Sequence, residues 1–213
     1  MFRSRWFAAL AFVVGVAFLA GCGSDEDSNT SSAKETDVAF SAGMVPHHES
    51  AVEMARIALK ESDRPEIRQL ANSIITSQQA EIIELSAAYE RIAGEEFDPD
   101  ESPGGGMDHG VMGMSSDEMG MDMDPDDLRG AEPFEREFID MMVPHHQGAI
   151  RMAELQLSEG SDGELKSLSR RIIAAQSAEI SQMNRWRKQW YGEISTSGDM
   201  PMMHDSGQMG KGN

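Results

Sequence analysis

Four of the six histidines in this chain stand as two adjacent pairs, His47-His48 and His145-His146. Each pair sits in one phrase, Met-Val-Pro-His-His-x-x-Ala-x-x-Met-Ala, which supplies Met44 and Met54 in the first copy and Met142 and Met152 in the second. The other two histidines, His109 and His204, lie in glycine- and methionine-rich stretches. The first stretch carries Met107, Met112, Met114, Met119, Met121 and Met123, and the second carries Met200, Met202, Met203 and Met209. Imidazole and thioether are ligands that favour copper among biological metals, the soft thioether selecting Cu(I) and imidazole tolerating Cu(II) as well. The only cysteine is Cys22, so neither a thiolate site nor an intrachain disulfide competes with that reading.

Positioning these groups calls for helices. Neighbouring residues on a helix point about 100° apart, so one imidazole of a pair faces the core while the other faces a seam or an adjacent helix. Met44 precedes His47 by about one turn, and Met142 stands in the same relation to His145. Gln78 and Glu81 lie one turn apart further along, as do Gln176 and Glu179. They are the expected acceptors that orient the imidazoles, a support that metal-bound histidine usually has. The plain alternative is that these histidines and methionines fill a core and satisfy one another by hydrogen bonds. Duplication of the whole His-His-Met set argues for metal over filler.

The duplication is explicit. Residues 37–85 align with 135–183 without a gap, and roughly 19 of the 49 positions are identical, far above chance. Each copy reads as two helices. The first spans about 38–60 or 134–158, with Pro46 or Pro144 either opening a new helix or kinking a longer one. The second begins at the capping-box-like Asp63-Arg64-Pro65-Glu66 or Ser161-Asp162-Gly163-Glu164 and stops at Gly94 or Gly192. A helical apolar period runs through Ile67, Leu70, Ile74, Ile75, Ile82 and Leu85, and through the matching positions of the second copy. Neither hairpin can bury its apolar face alone, so the expected fold is all-α: one antiparallel four-helix bundle made from two duplicated hairpins, 37–94 and 134–192. Duplication then gives two equivalent sites, and spacing alone leaves open whether they merge into one.

The remaining segments read as follows. Residues 1–21 resemble a lipoprotein signal peptide, with Arg3 and Arg5, a short apolar run, and Leu19-Ala20-Gly21 before Cys22 as the expected lipid attachment point. Residues 22–36 read as a flexible tether, 95–133 as a mobile Met/Gly/Asp-rich linker and 193–213 as a Met-rich disordered tail. The net charge of −19 leaves no basic patch for phosphate contacts, which argues against nucleic acid. No Glu-x-x-His, His-Glu-x-x-His or phosphate-binding loop is present, so no catalytic motif is found.

The phrase Met-x-Pro-His-His-x-x-Ala-x-x-Met-Ala, followed by Gln-x-x-Glu-Ile, resembles the bacterial domain-of-unknown-function family 305 over both repeats. The resemblance implies a ferritin-like four-helix bundle, secreted or lipid-anchored, with some relatives associated with copper binding and tolerance. Its motif falls on Met44, His47, His48, Met54, Gln78 and Glu81, and on Met142, His145, His146, Met152, Gln176 and Glu179. The expectation is therefore an extracytoplasmic, membrane-anchored protein that sequesters or passes on copper, with metal ions and a copper-handling protein as partners. A helical envelope protein acting by packing or docking is the alternative, and a metal-dependent oxidoreductase is third.

Overall fold

A computed structural model describes residues 25–98 and 113–195, with side chains from residue 31 onward. It contains four long helices: α1 Asp25–Glu61, α2 Pro65–Ala93, α3 Phe134–Glu159 and α4 Gly163–Tyr191. A 3-10 turn, Pro125–Leu128, lies between the two hairpins. The helix ends follow sequence chemistry. Gly94 and Gly192 close α2 and α4 with left-handed φ values of 85° and 89°. Asp162 caps α4 by accepting from the amides of Glu164 and Leu165. The matching start of α2 is different: Arg64 is the N-cap, without a side-chain cap bond, and Pro65 opens the helix. Pro46 and Pro144 lie inside unbroken helices, which rules out the fresh-start reading of each.

The hairpins form the four-helix bundle. One apolar half holds Met54, Ile57, Ile67, Leu70 and Ile74 with Phe138, Ile139, Met142, Ile180 and Met183. The other holds Phe40, Met44, Val45 and Leu85 with Met119, Met152, Leu165, Leu168 and Ile172. Each half draws on one end of all four helices, as antiparallel packing requires. Between the halves lie the four buried histidines, with Gln78 and Gln176.

Each hairpin also grips the loop of the other. Asp37, buried on α1, accepts from the amide and hydroxyl of Ser161, from the amide of Asp162 and from the Gln156 side chain. At the equivalent place, Glu135 on α3 accepts from the Ser62 hydroxyl.

Two expectations are corrected here. The stretch read as a tether is helical from Asp25, and Thr36 already donates to the Ser32 carbonyl inside that helix. The linker is not mobile throughout: residues 113–133 lie folded on the bundle. There Leu128 is fully buried, Met119 nearly so, and Met123 packs against the first apolar half. Methionine is an apolar side chain, and a tract rich in it has a means of docking on a helix face.

Candidate metal centre

The two repeats meet at their histidines. His47 from α1 and His145 from α3 face each other with ring centroids 3.9 Å apart. They bring the two expected sites together at the centre of the bundle. His48 and His146 turn the other way, each toward the second helix of its own hairpin. The His48 Nε2–H donates to Glu81 Oε2 at 2.9 Å, and the His146 Nε2–H donates to Glu179 Oε2 at 2.7 Å. The roughly 100° offset between adjacent helical residues produces this split, one ring inward and one sideways.

All four rings are at most 1 % exposed. Burial disfavours the imidazolium, so the His47 pKa is lowered to about 3, with the neighbouring His48 pushing it the same way. Burial likewise holds His145 well below its ordinary value, and His47 adds to the effect. The inner pair is thus neutral at physiological pH, the form that coordinates metal.

Buried polar atoms normally find partners, yet here several do not. His47 Nδ1, His48 Nδ1, His146 Nδ1 and both nitrogens of His145 have no hydrogen-bond partner. Gln78 Oε1 and both amide atoms of Gln176 are also unpartnered. Leaving such atoms bare in a dry interior costs about 1–3 kcal/mol each. A cation coordinated by the ring nitrogens would remove part of that cost.

Among the described residues, no three His, Cys, Asp or Glu side chains converge as a ready-made ligand set. Beside the glutamine amides, the buried ligand types are thioethers, and the duplication sets them in both apolar halves. Met44 and Met152 share one apolar half, and Met54 and Met142 share the other, all at most 1 % exposed. Met152 reaches α1, where its methyl carbon lies 3.4 Å from the position of a Cβ on Gly43. Neutral imidazole and buried thioether are ligand types suited to a soft cation and unsuited to calcium or magnesium. The residues present fit copper.

The orienting roles are divided differently from expectation. Glu81 and Glu179 hold the outer histidines, whereas the Gln78 carbonyl oxygen and the whole Gln176 amide are left unpartnered. Of the linker methionines, Met119 is buried, while Met114, Met121 and Met123 are partly buried against the bundle. Met107, His109, Met112, Met200, Met202, Met203, His204 and Cys22 lie outside the described residues.

Two features were not legible in the motif. The Met119 carbonyl accepts from His47 Nε2–H at 2.9 Å, across 72 residues of chain. A partly buried ion pair joins Arg187 to Asp140, with Nε to Oδ1 at 3.0 Å. Its counterparts in the first repeat are Tyr89 and Ala42, so the pair belongs to the second hairpin alone.

Fold and site together define a duplicated four-helix protein whose two repeats meet at a buried cluster of histidines. The chain belongs to the family described as a domain of unknown function (DUF305), which matches residues 37–187 and 135–213. It is similar to CopM, solved in a Cu(I)-bound form, at 36 % identity, covering 73 % of this chain and 98 % of that one, with a TM-score of 0.61. CopM in the Cu(II)-bound form aligns at 37 % identity over 73 % of this chain and 97 % of that one, again with a TM-score of 0.61. A putative secreted DUF305 protein from Streptomyces coelicolor matches at 25 % identity over 78 % of this chain and 99 % of its own, with a TM-score of 0.66. A curated relative, an uncharacterized protein of Acanthamoeba polyphaga mimivirus, is 44 % identical over 45 residues, 21 % of this chain. The match spans 30 % of that relative's length.

Proposed function

We propose that this protein binds copper and serves copper sequestration or transfer outside the cytoplasm, anchored to the membrane through a lipid on Cys22. The observation that carries the copper reading is the facing pair His47 and His145, dry, with unpartnered nitrogens, between buried methionines of both repeats. Its support from relatives is CopM, solved with Cu(I), with Cu(II) and with silver. His47, His145 and the thioethers of Met44, Met54, Met142 and Met152 are the candidate holders. Glu81 and Glu179 fix the outer imidazoles, and the apolar halves keep water from the centre. The Met-His tracts around His109 and His204 suit first capture of Cu(I), because thioether ligation needs no deprotonation. The lipid anchor rests on the Leu19-Ala20-Gly21-Cys22 run and keeps the bundle at a membrane surface.

The test is a Cu(I) competition titration of protein carrying no affinity tag, beside the variant His47→Ala/His145→Ala. The variant is expected to lose the tighter class of sites while its helical circular dichroism is retained. Unchanged stoichiometry and affinity in the variant would remove the bundle centre from the account.

A further inference from the structure

Three of the four buried histidines have the same arrangement. Their Nε2–H is held by an acceptor and their Nδ1 is bare: His48 by Glu81, His146 by Glu179 and His47 by the Met119 carbonyl. His145 has no partner at either nitrogen. The repeat explains the first two acceptors, because Glu81 and Glu179 are equivalent residues. It does not explain the third, because Met119 belongs to the segment between the copies, which occurs once. That segment therefore breaks the symmetry of the inner pair.

The segment is seated by interlocking backbones. A Cβ on Gly148 would lie 1.7 Å from the Met119 oxygen and 2.1 Å from its carbonyl carbon, so only glycine leaves room for this crossing. Gly120 has a φ of +69°, and a Cβ there would stand 2.5 Å from the Pro144 oxygen and 2.8 Å from the His145 Cα. One turn further along α3, the Arg151 guanidinium donates to the Glu118 carbonyl. The first repeat has Ser50 where the second has Gly148, so the notch is present on one copy only.

We propose that residues 115–121 form a strap that locks His47 as its Nε2–H tautomer, presents Nδ1 as its ligating atom, and retains a soft monovalent cation on the inner pair. Its positioning residues are Gly120, Gly148 and Arg151. The retention part rests on the copper reading above, whereas the tautomer part does not. Because a carbonyl oxygen only accepts, the Met119 contact excludes the Nδ1–H tautomer of neutral His47. His145, without such a partner, is the ring that adapts to the cargo. Losing the orienting partner of a ligating histidine typically weakens metal binding by about 10- to 100-fold.

The experiment uses the full chain in two measurements. Imidazole ¹⁵N spectra of metal-free protein report tautomers, and transfer of bound Cu(I) to a chromophoric chelator reports retention. Wild type should show His47 as Nε2–H only. Gly148→Ser, which installs the first repeat's residue, should release the strap. His47 then becomes a tautomer mixture, His48 and His146 keep their signals, and Cu(I) transfer accelerates roughly tenfold. Ser50→Gly is the control and should alter neither reading. Should Gly148→Ser fail to fold, Arg151→Ala loosens the same strap from an exposed position and should shift both readings in the same direction. Wild-type His47 found as Nδ1–H, or strap variants with unchanged tautomer and unchanged transfer, would overturn the proposal. A wild type that takes up no Cu(I) would end the retention claim and the copper reading together, while the spectra still decide the tautomer lock.

Discussion

At the scale of single residues, the centre is a case of burial prevailing over hydration. His47 and His145 are driven far below the ordinary histidine range chiefly by desolvation. An unfolded chain would titrate these rings near 6.5, whereas folded His47 holds off its proton down to about 3. Across that window the unfolded state binds protons that the folded state refuses, so the stability of the metal-free protein falls as pH falls. Denaturant midpoints measured at pH 7 and pH 5 should therefore drop more for wild type than for His47→Gln/His145→Gln. Equal drops would mean that the inner pair is not dry. At this scale the sequence pointed to the residues that meet: the paired histidines are buried together, and the Gln-x-x-Glu spacing carries the carboxylates that the outer rings bond. It could not tell which neighbour each ring meets. The His47–Met119 bond reaches a backbone carbonyl, and a carbonyl has no residue type to read.

At the scale of elements, α2 and α4 were legible because apolar period, capping-box start and terminal glycine pointed to the same boundaries, whereas α1 begins at Asp25, well before its expected start. The observed α2, Pro65–Ala93, and α4, Gly163–Tyr191, stop at the residues before the two expected glycines. The linker was misread for a physical reason: glycine and aspartate mark it as solvated, yet Leu128 and Met119 give it two buried anchors. The Gly148 notch that receives it reads in sequence only as an unfavourable helical glycine. Asp37 was equally silent, since a polar residue near the predicted start of a helix looks like an ordinary first-turn acid. In the structure it ties α1 to the α3–α4 loop through several donors. Asp37→Ala strands those buried donors and should cost about 3 kcal/mol, the scale of hydrogen bonds to a charged group. Chemical denaturation checks this, and a loss below about 0.5 kcal/mol, the range of ordinary surface substitutions, would show the loop to be held by packing instead.

At the scale of the whole molecule, duplication brings the histidines of both repeats together, and the unduplicated segment makes the two inner rings unequal. The acidic chain, at −19, suits attraction of cations toward it. Among the described residues no helix is long and apolar enough to cross a membrane, and the attachment proposed above is through Cys22. Cys22→Ser should shift the protein from the membrane fraction to the soluble fraction or leave an unprocessed precursor. Unchanged fractionation with a normally trimmed N-terminus would remove the anchor from the account.

The central claim is that the inner histidines and their flanking methionines hold copper together. X-ray absorption on the Cu(I)-loaded full chain, at one equivalent, tests it most directly. The account predicts a mixed coordination shell of imidazole nitrogen and thioether sulfur, with the nitrogen contribution lost in His47→Ala/His145→Ala. A shell of light atoms without sulfur, or a spectrum that the double substitution leaves unchanged, would contradict it.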